Sequence, residues 1–158
     1  MKKIITLVVA LVVSLGSYAQ TADEYSEIVR DALKMEKKAM IKQAIFLTNE
    51  ESEVFWPLYE EYNKKLGDLR METYQLIIDY TNNMNTLSGK QAETMWKKKL
   101  KIDKEMLKLN KKYYKKLLNR IDGSKAVRYF QAENKIQAMV DAHIANEVPL
   151  YLDPKPVK

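Results

Sequence analysis

The 158-residue chain has no cysteine, a single histidine, and only four glycines and four prolines. The absence of cysteine excludes a disulfide framework, a thiol nucleophile and any thiolate metal site. One histidine, His143, excludes an intramolecular multi-histidine metal centre and leaves little for acid–base chemistry near neutral pH. There is no Glu-x-x-His pair of the di-iron type, no Gly-rich phosphate loop and no serine or cysteine nucleophile constellation. Nothing in the inventory supports catalysis, so no enzyme, cofactor or metal is expected. No long stretch alternates apolar and polar residues as a strand would.

What the chain does contain begins with Met1-Lys2-Lys3, an apolar run from Ile4 to Leu15 broken only by Thr6 and Ser14, and Ser17-Tyr18-Ala19. A basic start, a short apolar stretch and small residues at the −3 and −1 positions read as a secretory signal cleaved after Ala19. The run is well short of the ~20 residues that span a bilayer as a helix, so no stable membrane insertion is expected. With residues 1–19 removed, the mature protein is expected in the periplasm, where nucleic acid is not an expected partner.

The formal charge of +6 conceals an uneven distribution. Residues 20–89 hold 8 basic and 13 acidic side chains, residues 90–128 hold 14 and 4, and residues 129–158 hold 3 and 4. The middle of the chain is strongly basic.

Capping-box spacing occurs at Thr21-Ala22-Asp23-Glu24, at Thr48-Asn49-Glu50-Glu51 and at Ser88-Gly89-Lys90-Gln91. A fourth start falls at Asp122 or Ser124, and the last helix should stop near Asn146, ahead of Pro149. Between these signals apolar residues recur at helical spacing. The second segment carries Phe55, Leu58, Tyr59, Tyr62, Leu66, Leu69, Thr73, Leu76, Ile77, Tyr80 and Met84 on one stripe. The third carries Trp96, Leu100, Asp103, Leu107, Asn110, Tyr114 and Leu117 on one seam, beside Met95, Ile102, Met106, Leu109 and Tyr113 on another. The fourth offers Val127, Tyr129, Phe130, Ile136, Val140 and Ile144.

The expected fold class is therefore all-α. Four helices span one domain over residues 20–148, with an extended Pro-containing tail at 149–158. The second and third helices would run ~54 and ~50 Å at 1.5 Å per residue, whereas a compact body of this size has a radius of gyration of only ~14 Å. An elongated, curved helical hairpin arrangement follows, and so much apolar surface on thin helices argues for a homodimer. Pro57, inside the second helix, predicts a bend near Glu53 to Trp56.

The order Leu47-Thr48-Asn49-Glu50-Glu51, long helix, polar turn, basic amphipathic helix, Ile121-Asp122-Gly123-Ser124-Lys125, last helix, behind a signal peptide, resembles the Spy/CpxP family of periplasmic helical proteins. That family carries two Leu-Thr-x-x-Gln motifs, each opening a helix, and the resemblance covers roughly residues 40–145. Glu51 stands where the first motif has Gln, and Ile121, Asp122 and Lys125 stand where the second has Leu, Thr and Gln. Asp122 can still cap and Glu51 can still close a capping box, whereas Lys125 cannot accept a bond from the cap N–H. The resemblance implies a cradle-shaped antiparallel dimer that binds unfolded or misfolded envelope proteins without ATP during stress. The alternative it implies is an accessory protein of an envelope-stress or metal-responsive signalling system, with a sensor protein as partner.

Candidate client-binding residues lie on the third helix. Lys97, Lys101, Lys104, Lys108, Lys111 and Lys115 fall three or four apart and line one face about a turn from the aromatic seam. Charge beside exposed apolar and aromatic residues suits weak, sequence-tolerant capture of unfolded chains. The same face could instead be simply solvated or attracted to an anionic membrane surface. Trp96, Tyr113 and Tyr114 are candidate binding platforms, although aromatic residues at this spacing are more often core. The helix-cap motif residues are Leu47, Thr48, Glu51, Ile121, Asp122 and Lys125. The cluster Glu50, Glu51, Glu53, Glu60 and Glu61 could hold a divalent cation, but its first members better complement the helix amino terminus. His143 with Asp141 and Glu147 supplies too few ligands unless a dimer completes them.

Overall fold

The computed structural model describes residues 34–151, and these are helical throughout apart from their turns and the start of the tail, with no strand. The signal segment and the Thr21 cap lie outside the described residues. The chain divides into two compact units between Gln43 and Ala44. Residues 34–44 form the described part of α1. The second unit holds α2 (Asn49–Asn83), α3 (Gly89–Leu118) and α4 (Gly123–Glu147). No described helix is long and apolar enough to cross a membrane.

Each of the three long helices starts where local chemistry dictates. Thr48 Oγ1 accepts from the Glu51 N–H at 3.2 Å while a Glu51 carboxylate oxygen accepts from the Thr48 N–H at 2.9 Å. Ser88 and Gln91 make the same reciprocal pair at the head of α3. Asp122 caps α4 by accepting from the N–H groups of Ser124 and Lys125. Each box satisfies donors that an α-helix otherwise leaves unpaired. Thr48→Ala is expected to lower stability by about 1 kcal/mol, read by chemical denaturation.

At ~52 Å, α2 runs uninterrupted through Pro57. Glu53, whose carbonyl loses its donor to Pro57, and Pro57 itself are both exposed, so water can serve that carbonyl. The turn 84–88 reverses the chain, and α3 packs antiparallel along α2. The expected α2 stripe is the one buried: Phe55, Tyr59, Tyr62, Leu66 and Leu76 are inside, and Leu58, Leu69, Thr73, Ile77, Tyr80 and Met84 are half-buried.

The third helix of this unit is held differently. No Cα of α4 comes within 8 Å of an α2 Cα, and the gap is filled by rings. Tyr129 meets Phe55, Tyr59 and Tyr62 at centroid distances of 5.2, 5.9 and 6.2 Å, and Phe130 meets Tyr62 at 5.7 Å. Edge-to-face rings hold helices apart at a fixed spacing while burying large apolar area. Farther along, Arg70 pairs with the buried Glu133 at 3.2 Å, and the Tyr80 hydroxyl donates to the Pro149 carbonyl at 3.1 Å. This order of partners makes α4 run parallel to α2.

The expected apolar face of α4 needs correcting. Tyr129 and Phe130 are buried, but Val127 and Val140 are exposed, and Ala126 and Glu133 are buried in their place. All buried residues of α4 lie in its first eleven positions. The helix is anchored at its beginning, beside α3, and rides along α2 thereafter.

Candidate functional site

On α3, two adjacent seams receive opposite treatment. The seam of Met95, Ile102, Met106, Leu109 and Tyr113 is buried or half-buried, and Ile102 and Tyr113 are within the core. The seam of Trp96, Leu100 and Leu107 lies open, at 64%, 51% and 54% exposure. Helical spacing puts these three on one face, with Asp103 between Leu100 and Leu107. On the adjoining arc Lys97, Lys101, Lys104, Lys108, Lys111 and Lys115 are exposed apart from the buried seam. Among the described residues only two of the six make ion pairs within 4.0 Å, Lys97 with Glu93 and Lys108 with Glu105, both inside α3. The row keeps most of its positive field.

Tyr113 is the candidate platform that the structure moves. It is fully buried and pins α2 to α3 rather than offering a surface. Its ring packs against Tyr62 at 5.3 Å, its hydroxyl is 3.0 Å from Lys65 Nζ, and Lys116 Nζ sits 4.6 Å from its ring centroid. Glu61 collects both ammonium groups, at 2.6 Å from Lys65 and 3.3 Å from Lys116. The Lys65 bond, with help from Tyr113 and Lys116, holds the Glu61 carboxyl down at about 2. Tyr114 is half-buried, edge-on to Phe130 at 5.6 Å. Of the three aromatic candidates, Trp96 alone stands well into solvent.

The two cap motifs, 74 residues apart in sequence, meet in space. Glu51 closes its own capping box and also reaches across to the second motif. One oxygen pairs with Lys125 Nζ at 2.5 Å, and the other accepts from the Asp122 backbone N–H at 3.2 Å. Lys125, poorly suited to capping its own helix, thus clasps the amino termini of α2 and α4 together. A carboxylate placed between two helix amino termini also faces the positive ends of both dipoles. Of the two apolar motif residues, Leu47 is half-buried and Ile121 buried.

The Lys125 and Thr48 bonds lower the Glu51 carboxyl below its ordinary value, and bonds from Ser124 and Lys125 lower that of Asp122. A carboxyl depressed in the folded state stabilises the fold above its unfolded pKa, and that stability is lost as pH falls through the folded value. Glu51, Glu61 and Asp122 therefore all favour the folded state at neutral pH, and stability is expected to fall on acidification below ~4.5. Thermal melts across pH 2–7 check this, and exchanging the clasp charges (Glu51→Lys with Lys125→Glu) should recover more of the melting temperature than either change alone.

Elsewhere the chemistry is sparse. Glu50 shares the α2 amino terminus, where backbone N–H and Thr48 lower its carboxyl. His143 is half-buried near the end of α4. Among the described residues no three His, Asp or Glu side chains converge as a metal site. The sequence did not single out Glu133, whose partner Arg70 lies 63 residues away.

No family model, curated protein or solved structure matches the chain.

Proposed function

We propose that this protein is a non-enzymatic, ATP-independent binder of unfolded or misfolded proteins, a chaperone-like protein of the Spy/CpxP kind acting in the periplasm as a homodimer. The observation that carries this reading is the outer face of α3. There Trp96, Leu100 and Leu107 are each more than half exposed beside a row of lysines with few acidic partners. A monomer seldom leaves such a strip uncovered without using it. Long-range attraction by the lysines raises the encounter rate, and a narrow apolar strip holds loosely enough to release.

The test is suppression of aggregation of several unrelated chemically unfolded proteins by the mature chain, without nucleotide. Suppression near equimolar ratio is expected, and unchanged aggregation of every client would remove the proposal. Neutralising Lys101, Lys104, Lys108 and Lys111 to Gln is expected to slow client association about tenfold, by stopped-flow fluorescence, without changing the helical circular dichroism. Raising salt to about 0.5 M should produce the same slowing in the unaltered protein.

A further inference from the structure

The open seam of α3 has a finer pattern than exposure alone. Trp96, Leu100, Asp103, Leu107, Asn110 and Tyr114 follow one another at alternating steps of four and three, the spacing of a coiled-coil seam. Leu100, Leu107 and Tyr114 take the a positions, and Trp96, Asp103 and Asn110 take the d positions. The carboxyl end of the seam is already used within the chain. Phe130 of α4 lies on Tyr114, and Leu117, the next seam position, is buried. Over the stretch from Trp96 to Asn110, about 22 Å of helix, Trp96, Leu100 and Leu107 are exposed and Asp103 and Asn110 half-buried. Asp103, the charged residue inside it, is matched by Lys99 at 2.6 Å.

The flanks decide what fits there. The g flank (Lys99, Met106, Tyr113) turns toward the buried side. On the solvent side, the e positions are Lys97, Lys104 and Lys111, all exposed. A second α3 laid antiparallel on this seam would set lysine against lysine. Laid parallel, it would set these lysines against Lys99, Met106 and Tyr113, which include no acid. A lysine e flank with no acid on either flank to match it opposes self-pairing, and carboxylates on a partner's flank favour pairing.

We propose that the Trp96–Asn110 seam receives an acidic amphipathic helix of about four turns, with its own apolar a/d seam and carboxylates beside it. The proposal rests on the reading of this face as the client surface and names the client segment. That segment is one that becomes helical on the surface, in the manner of a helix seated in a groove, rather than one held extended.

The test uses the full mature protein carrying Trp56→Phe, which leaves Trp96 as the reporter. It is titrated with three synthetic peptides: a three-heptad acidic amphipathic helix, the same helix with Lys on its flanks, and a scramble of the acidic one. Binding of the acidic helix should shift Trp96 emission to the blue, with affinity about tenfold above that of the Lys-flanked helix. Reversing Lys97, Lys104 and Lys111 to Glu should invert that order. Equal binding of acidic helix and scramble, an order unmoved by charge reversal, or Trp96 emission already blue-shifted in the peptide-free protein and moving to the red as dilution dissociates two copies would each overturn the proposal. Aggregation suppression measured on the same samples separates the two ideas: if suppression persists while the peptides are not distinguished, helix selectivity falls and the client reading stands.

Discussion

Replacing Tyr129 with alanine is expected to cost about 4 kcal/mol of folding stability. Tyr129 is fully buried, and its ring contacts Phe55, Tyr59, Tyr62 and Phe130. Truncation removes the transfer free energy of the ring, opens a cavity and abolishes four ring contacts at once. Because the α2 and α4 backbones stay more than 8 Å apart, neither helix can close the gap by a small sideways shift. Burial, with the Glu133 charge nearby, also pushes the Tyr129 phenol well above its ordinary value, so the ring enters the core uncharged. Tyr129→Phe removes only the hydroxyl, whose contact with Asn63 is long at 3.4 Å, and should cost about 1 kcal/mol or less. Urea denaturation of the two variants gives both numbers, and a loss below about 2 kcal/mol for Tyr129→Ala would mean that α4 is not held by this cluster.

The second large effect is expected at Arg70. Its guanidinium meets Glu133, whose side chain is only 2% exposed, while Arg70 itself is about one-fifth exposed. Deleting the arginine leaves a buried carboxylate without its cation, a change that typically costs about 3 kcal/mol. Replacing both members with apolar residues of similar volume, Arg70→Met with Glu133→Leu, should recover most of that loss, since the pair offsets its own desolvation only partly. The cycle of single and double variants, measured by denaturant unfolding, separates the cost of an abandoned charge from the value of the pair. If Arg70→Ala falls within 0.5 kcal/mol of the unaltered protein, as a surface change would, the bridge does not restrain α4.

Local chemistry was readable from the chain and tertiary choice was not. Thr48, Ser88 and Asp122 announce their helices because a cap needs only residues two or three positions away. The α2 stripe was readable because one apolar face permits one orientation. The third helix has two adjacent apolar seams, and periodicity cannot choose which of them meets α2. Tyr113 therefore looked as available as Trp96, yet it lies in the core and Trp96 lies outside. Glu133 reads as an ordinary surface acid among Gln131, Asn134 and Lys135 until Arg70 is brought to it. Lys125 looks like a defective cap residue until Glu51 arrives from the other motif. In each case the missing information was a partner between 48 and 74 residues away.

The central claim, that the outer strip of α3 binds unfolded protein, is tested most directly by a Trp96→Ser, Leu100→Ser, Leu107→Ser variant in the aggregation assay. All three side chains are more than half exposed, so the variant should keep its helical signal and its unfolding midpoint within the range of surface substitutions. The unaltered protein is expected to suppress aggregation near equimolar ratio, and the variant to require at least about tenfold more protein for the same effect. Equal suppression by a folded variant would contradict the claim.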